Sequence, residues 1–124
     1  DAYAKVNTPF AANEVACRAA LAALDDDDHL ELSIDTARWA RKYYREELDA
    51  PTWPSGGNFV LCDVGDGAAV AAACQRQGVI VRDTASFGLP ECVRVSCGTR
   101  EETKAAVETL NTVLAEVSPE ASGL

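Results

Sequence analysis

The chain of 124 residues has no methionine, one histidine and three lysines, Lys5, Lys42 and Lys104. Each shortage excludes something. Without methionine, Asp1 cannot be a translation start, so the chain reads as processed or cut from something longer. The single histidine, His29, follows the run Asp25-Asp26-Asp27-Asp28 and has no imidazole or thiolate partner at zinc spacing. No histidine stands beside a nucleophile, so activated-nucleophile chemistry has no base. No apolar run approaches the roughly 18 residues needed to cross a bilayer, and no leader-like pattern opens the chain. The five cysteines (Cys17, Cys62, Cys74, Cys92 and Cys97) include no Cys-x-x-Cys pair. Cys62 ends the apolar run Phe59-Val60-Leu61 and Cys74 follows three alanines, which suits small buried hydrophobes better than metal ligands or disulfides. A reducing, cytoplasmic setting follows.

Acid is abundant. The formal charge is −9, from 20 acidic and 11 basic residues, and eight of the bases are arginines. Such a balance excludes an anionic-membrane or nucleic-acid surface, which needs clustered positive charge. Acid excess with little lysine suits a protein kept soluble in concentrated salt, where self-repulsion is screened. An acidic protein without salt adaptation is the plainer alternative.

Hydrophobic spacing supplies the elements of one α/β (α+β) domain. Residues 1–12 read as an extended linker, since Pro9 disfavours helix at Thr8. Asn13 can cap a helix over 14–24, and Asp28 with Glu31 has the form of a capping box for a second helix. In that helix Leu30, Ile34, Ala37, Arg41, Tyr44 and Leu48 recur at helical steps, and the acidic turn predicts two antiparallel helices. Beyond Pro51, Pro54 and Ser55-Gly56-Gly57 the period changes. Residues 58–64 read as a strand, 68–77 as an alanine-rich helix ended by Gly78, and Val79-Ile80-Val81-Arg82 as a second strand. That strand–helix–strand succession has the size of a crossover unit. A nine-residue loop from Asp83 to Glu91 leads to a third strand, Cys92-Val93-Arg94-Val95-Ser96. Thr99, with Glu102 three residues on, caps a last helix over 100–117. Residues 118–124 read as a flexible tail. The expectation is a small three-stranded sheet packed by helices, over residues 13–117.

Three places could bind an anion. Arg38, Arg41, Lys42 and Arg45 form the densest positive cluster, but acids interleave with them. Asp35 can pair with Arg38 and Glu46 with Lys42, so the cluster reads as a solvated face. Gly65-Asp66-Gly67 opens a helix after a strand, yet lacks the dinucleotide fingerprint and the Walker lysine, and Asp66 would repel phosphate; a capped turn fits better. Arg82 and Arg94 are different. Each sits among valines that want burial, so each is held on a rigid strand from which a planar guanidinium can grip carboxylate or phosphate. The bland alternatives are surface arginines or ion pairs with Asp83, Glu91 or Glu101.

Several segments occur in a recognisable order. They are Lys5-Val6-Asn7-Thr8-Pro9-Phe10 before an alanine-rich helix, Pro54-Ser55-Gly56-Gly57-Asn58-Phe59-Val60-Leu61, and Gly78-Val79-Ile80-Val81-Arg82-Asp83. Phe87-Gly88-Leu89-Pro90 and Val93-Arg94-Val95-Ser96-Cys97-Gly98-Thr99 with Glu101-Glu102 follow. This succession resembles the C-terminal small domain of the histidinol-phosphate aminotransferases, in the class I/II pyridoxal-phosphate aminotransferase superfamily. Threonine-phosphate decarboxylases share much of the pattern. The resemblance implies that Arg94 binds a substrate carboxylate or phosphate, that Arg82 faces the same site, and that Asn58 lies near it. It implies an amino-group exchange between glutamate and imidazole-acetol phosphate in histidine biosynthesis. It also implies pyridoxal 5'-phosphate as cofactor, an amino-acid phosphate as substrate, and a homodimer for the full-length enzyme. The Schiff-base lysine and the other cofactor-binding residues of the family belong to a large domain absent from this sequence, so no catalytic residue, cofactor ligand or metal ligand is assigned here. Lys5 matches a lysine of a downstream segment, and the chain alone is expected to be inactive. A separate anion-binding module of the same architecture is the remaining alternative.

The charge composition generates a test independent of family. The melting temperature of the chain should rise as KCl is taken into the molar range, because screening removes acid–acid repulsion; a flat response would remove the salt-adapted reading.

Overall fold

The structure is a computed structural model and describes residues 12–117. The extended reading of residues 1–11 and the flexible reading of 118–124 lie outside the described residues. The chain divides into two units, residues 1–33 and 34–124.

In the first unit Asn13 caps helix α1 (Glu14–Leu24), its Oδ1 accepting from the Ala16 amide at 2.7 Å. The α1 side chains Val15, Leu21 and Leu24 are exposed. Helix α2 (Asp27–Glu47) follows at once. Its cap differs from the expected capping box of Asp28 and Glu31. Asp26 accepts from the His29 amide at 3.0 Å, and Asp28 lies inside the first turn. With four aspartates in a row, any of them can cap, and the one that leaves the next two to meet the positive end of the helix dipole wins.

The second unit is organised by strand β3 (Cys92–Ser96). It lies between β1 (Phe59–Asp63) and β2 (Arg82–Asp83), antiparallel to both, in the order β1-β3-β2. β1 and β2 therefore run in the same sense without touching, and the crossover expected from strand–helix–strand spacing is split by the later strand. Helix α3 (Gly67–Arg76) makes the crossover, and α4 (Arg100–Val117) closes the fold. β2 is shorter than the expected run 79–82. The Val79 amide is taken by the Cys74 carbonyl at the end of α3, and Ile80 is 84% exposed. Those residues finish a helix, so they have no ladder to join.

Alternation sorts the sheet. Val60, Cys62, Val93 and Val95 face a core completed by Val70 and Cys74 of α3, by Ala106, Leu110 and Val113 of α4, and by Ala40 and Tyr44 of α2. The buried stripe of α2 thus begins at Ala40, while Leu30 and Ile34, expected on the same apolar face, are exposed. Tyr44 reaches across the core and donates its hydroxyl to the Ser96 carbonyl at 3.1 Å. Trp39 and Tyr43 stack with centroids 4.9 Å apart, and Arg100 of α4 lies 5.1 Å over the Trp39 ring, joining α2 to α4. Asn111 clamps the end of α2 from α4, donating to the Glu47 carbonyl and accepting from the Asp49 amide. Two caps behave as read. Asp66 accepts from the Ala69 amide, and Thr99 and Glu102 exchange reciprocal bonds at 3.0 and 3.2 Å.

Gly67 shows how tightly α3 is seated. A Cβ there would run into the backbone carbonyls of Cys92 and Pro90, neither of which can swing aside as a side chain could. Gly67→Ala should therefore destabilise by about 1–3 kcal/mol, the scale of an overpacked core, despite the better helix propensity of alanine. Chemical denaturation checks this, and an unchanged midpoint would contradict it.

Candidate substrate-binding face

The face of the sheet turned away from the core carries the arginines. Leu61, Arg94 and Arg82 are Cα partners in one row across β1, β3 and β2. Tertiary structure thus brings together two residues on strands joined by residues 84–91. That connection is a hook in which the Thr84 hydroxyl, on a residue only 3% exposed, shares its one proton between the Leu89 and Cys92 carbonyls, 2.7 and 2.9 Å away. A short 3-10 turn (Ala85–Phe87) sits inside it and ends at Gly88 in the left-handed conformation, φ 82°. Glycine adopts that geometry without the Cβ penalty.

Each guanidinium lies against a ring. Arg94 is 5.3 Å from the Phe59 centroid and Arg82 is 5.2 Å from that of Phe87. Neither forms an ion pair among the described residues, and Asp83, one of the expected partners, accepts from the Ala85 amide at 2.8 Å. An open groove of about 410 Å³ runs along Ile80, Val81, Arg82, Asp83, Arg94 and Ser96. Cation–π contact orients a guanidinium without neutralising it, so the row presents two uncompensated positive charges. Asn58 is not part of this row. It is exposed just ahead of β1, and its carbonyl accepts from the Cys97 amide at 2.7 Å. The supporting rings were missed in sequence, because which ring meets which arginine is set by strand register and by the fold of the connection after β2.

The rest of the described chain adds no reactive centre. No cluster of histidine, cysteine, aspartate or glutamate is placed to hold a metal among the described residues. No described helix is long and apolar enough to cross a membrane. Lys42 lies near Glu46, and Lys104 lies 5.9 Å over Trp39. Both side chains are thus engaged on the helical side of the fold, away from the arginine row.

The family model "Aminotransferase class I and II" matches residues 1–110, and the chain belongs to that family. Within it, the chain is 70% identical to the histidinol-phosphate aminotransferase of Haloquadratum walsbyi and 69% identical to that of Haloferax volcanii. Each alignment covers 94% of this chain. It spans about a third of those relatives, 31% and 32% of their lengths. A crystal structure of histidinol-phosphate aminotransferase from Sinorhizobium meliloti, in complex with pyridoxal-5'-phosphate, superposes with a TM-score of 0.68 at 27% identity. That match covers 94% of this chain and 34% of that one. The archaeal relatives come from halophiles, in keeping with the acid-rich, lysine-poor composition.

Three of the five thiols, Cys62, Cys74 and Cys92, are buried. Burial pushes Cys62 up to about 12 from its ordinary value of 9.0, and burial likewise raises Cys74 and Cys92. Between pH 9 and 12 the unfolded chain loses thiol protons that the folded chain keeps. The stability these thiols contribute is thus complete below pH 9 and is lost as pH climbs toward 12. Denaturation midpoints should fall steadily over that window. At neutral pH a maleimide should label exposed Cys17 well before Cys62; equal labelling rates would contradict the burial.

Proposed function

We propose that residues 13–117 serve as the small domain of a pyridoxal-phosphate-dependent histidinol-phosphate aminotransferase, with Arg94 and Arg82 gripping the carboxylate or phosphate of an amino-acid phosphate substrate. The observation that carries this reading is the cross-strand pair itself. Two guanidinium groups stand opposite each other on one rigid face, backed by Phe59 and Phe87 and lacking carboxylate partners among the described residues. The high identity to histidinol-phosphate aminotransferases supports the choice of substrate class.

In this reading the cofactor is held by the part of the enzyme outside this chain and supplies the electron sink for amino transfer. The residues of this chain bind and orient. Arg94, partly buried at the centre of the sheet, offers a planar fork to two oxygens of one anionic group. Arg82, exposed on the edge strand, meets the same group or the other charged end of the substrate. Asn58, exposed just ahead of β1, is the weakest of the three candidates. The exposed apolar side chains of α1 and those beside the arginines, Ile80 and Phe87, suit burial against the large domain, and a homodimer is the assembly. Cytoplasmic histidine biosynthesis is the setting. The chain by itself transfers no amino group.

In the full-length enzyme, Arg94→Lys keeps the charge and loses the fork. The expected loss in kcat/KM is about 1–3 kcal/mol, or roughly 5- to 150-fold, the scale of a charge-assisted bond. Histidinol phosphate with 2-oxoglutarate is the assay pair, and unchanged kinetics would rule out this role. Threonine phosphate serves as the contrasting substrate; decarboxylation of it without transamination would move the chain to the decarboxylase class.

A further inference from the structure

The basic cluster of α2 is the solvated face expected of it, with both expected ion pairs, and it also lines a groove. Arg38, Arg41, Lys42 and Arg45, at helical spacing, line one groove of about 360 Å³. Its opposite wall is the segment Thr52-Trp53-Pro54-Ser55, which leads into β1, and Val60 also lines it. None of these residues lines the groove at Arg82 and Arg94.

The expected neutralising pairs form, but weakly. Asp35 is 4.0 Å from Arg38 and Glu46 is 3.9 Å from Lys42, with all four side chains more than half exposed. Pairs of that length and exposure contribute little and yield readily to a better anion. Arg45 has no ion pair among the described residues. Arg41 is anchored, its Nη1 donating to the Gly57 carbonyl at 2.6 Å, which ties the helix to the end of the opposite wall. Ser55 accepts from the Gly57 amide at 3.1 Å, so its own hydroxyl proton remains to be donated to a ligand. In a chain of net charge −9 with 11 basic residues, four of those bases share this one groove. Gathering like charges there, with only two acids at the limit of reach, raises the energy of the free protein and lowers that of an anion complex.

We propose that this groove binds a small phosphate-bearing anion of two or more charges, at a site separate from the arginine row of the sheet. Guanidinium forks match phosphate oxygens, and multiple charge is needed to compete with monovalent anions of a salty medium. The volume is that of a small-ligand cleft.

Pyrophosphate titrated calorimetrically into the full-length holoenzyme tests this, in a low-chloride buffer and again with added KCl. Saturable binding that weakens with salt is expected. Arg38→Gln with Arg45→Gln should weaken it by about tenfold or more, as two charge-assisted contacts are lost, and the same weakening should appear when the two replacements are made in an Arg94→Lys background, where the sheet face contributes less. Both replaced side chains are exposed, so the melting temperature should hold. Should the double variant unfold, Arg45→Gln alone, which breaks no ion pair, should still weaken binding about threefold. Absence of saturable binding overturns the proposal. So does binding that disappears with Arg94→Lys and survives the double replacement, since the anion then sits on the sheet face only.

Discussion

Everything in the second unit depends on β3 lying between two antiparallel neighbours. A central strand has no free edge, so its residues must alternate strictly between the two faces of the sheet. Val93 and Val95 are committed to the core by that rule, and Arg94 is committed to the other face by the same rule. Slipping the strand by one residue would bury a guanidinium against Leu110 and Val70 and expose two valines. The charge that the arginine brings to the surface is therefore also what pins the register of the core.

Much of this was legible. The lengths of α1, α3 and α4, the Asn13, Asp66 and Thr99 caps, and the three strands follow from spacing and short polar side chains acting locally. The misreadings came where the decision is not local. Which of four aspartates caps α2 depends on where the helix settles. The shortness of β2 follows from the end of α3 claiming the Val79 amide, which no pattern of alternating apolar residues reveals. The order of the strands was beyond reach because insertion of β3 between β1 and β2 is decided by long-range pairing. For the candidate face, the two arginines could be named from their valine neighbours, but their direct opposition and the rings of Phe59 and Phe87 belong to the register. The convergence of Arg38, Arg41, Lys42 and Arg45 on the loop 52–55 was hidden because helix spacing shows which residues share a face and not what stands opposite it.

The composition and the fold also bear on each other. An acid-rich surface with little lysine leaves few cations to spend, and arginine is the one that keeps a weakly hydrated, planar charge in concentrated salt. Here the bases gather where they have structural or binding work. Arg100 and Lys104 lie on Trp39, Arg41 ties α2 to the start of β1, and Arg82 and Arg94 face an open groove. The diffuse negative charge favours solubility, and the localised positive charge stands out against it as a field gradient that draws anions to a few places.

The register of the core calls for a polar residue at Arg94, but not for a second arginine opposite it. Like charges directly opposite across two strands destabilise the sheet by up to roughly 1 kcal/mol, and a threonine in place of Arg82 would remove that cost without disturbing the buried valines. Phe59 and Phe87 reduce the cost, since each cation is drawn to the negative face of its own ring. Rings cannot cancel the charge, however, and no described carboxylate does so. The arrangement becomes favourable when a divalent or dicarboxylate ligand joins the row, because attraction to both arginines then replaces the repulsion between them. In the proposed role, a row that slightly weakens the free domain would strengthen its complex with an anion, and that difference in energy is the physical content of the proposal.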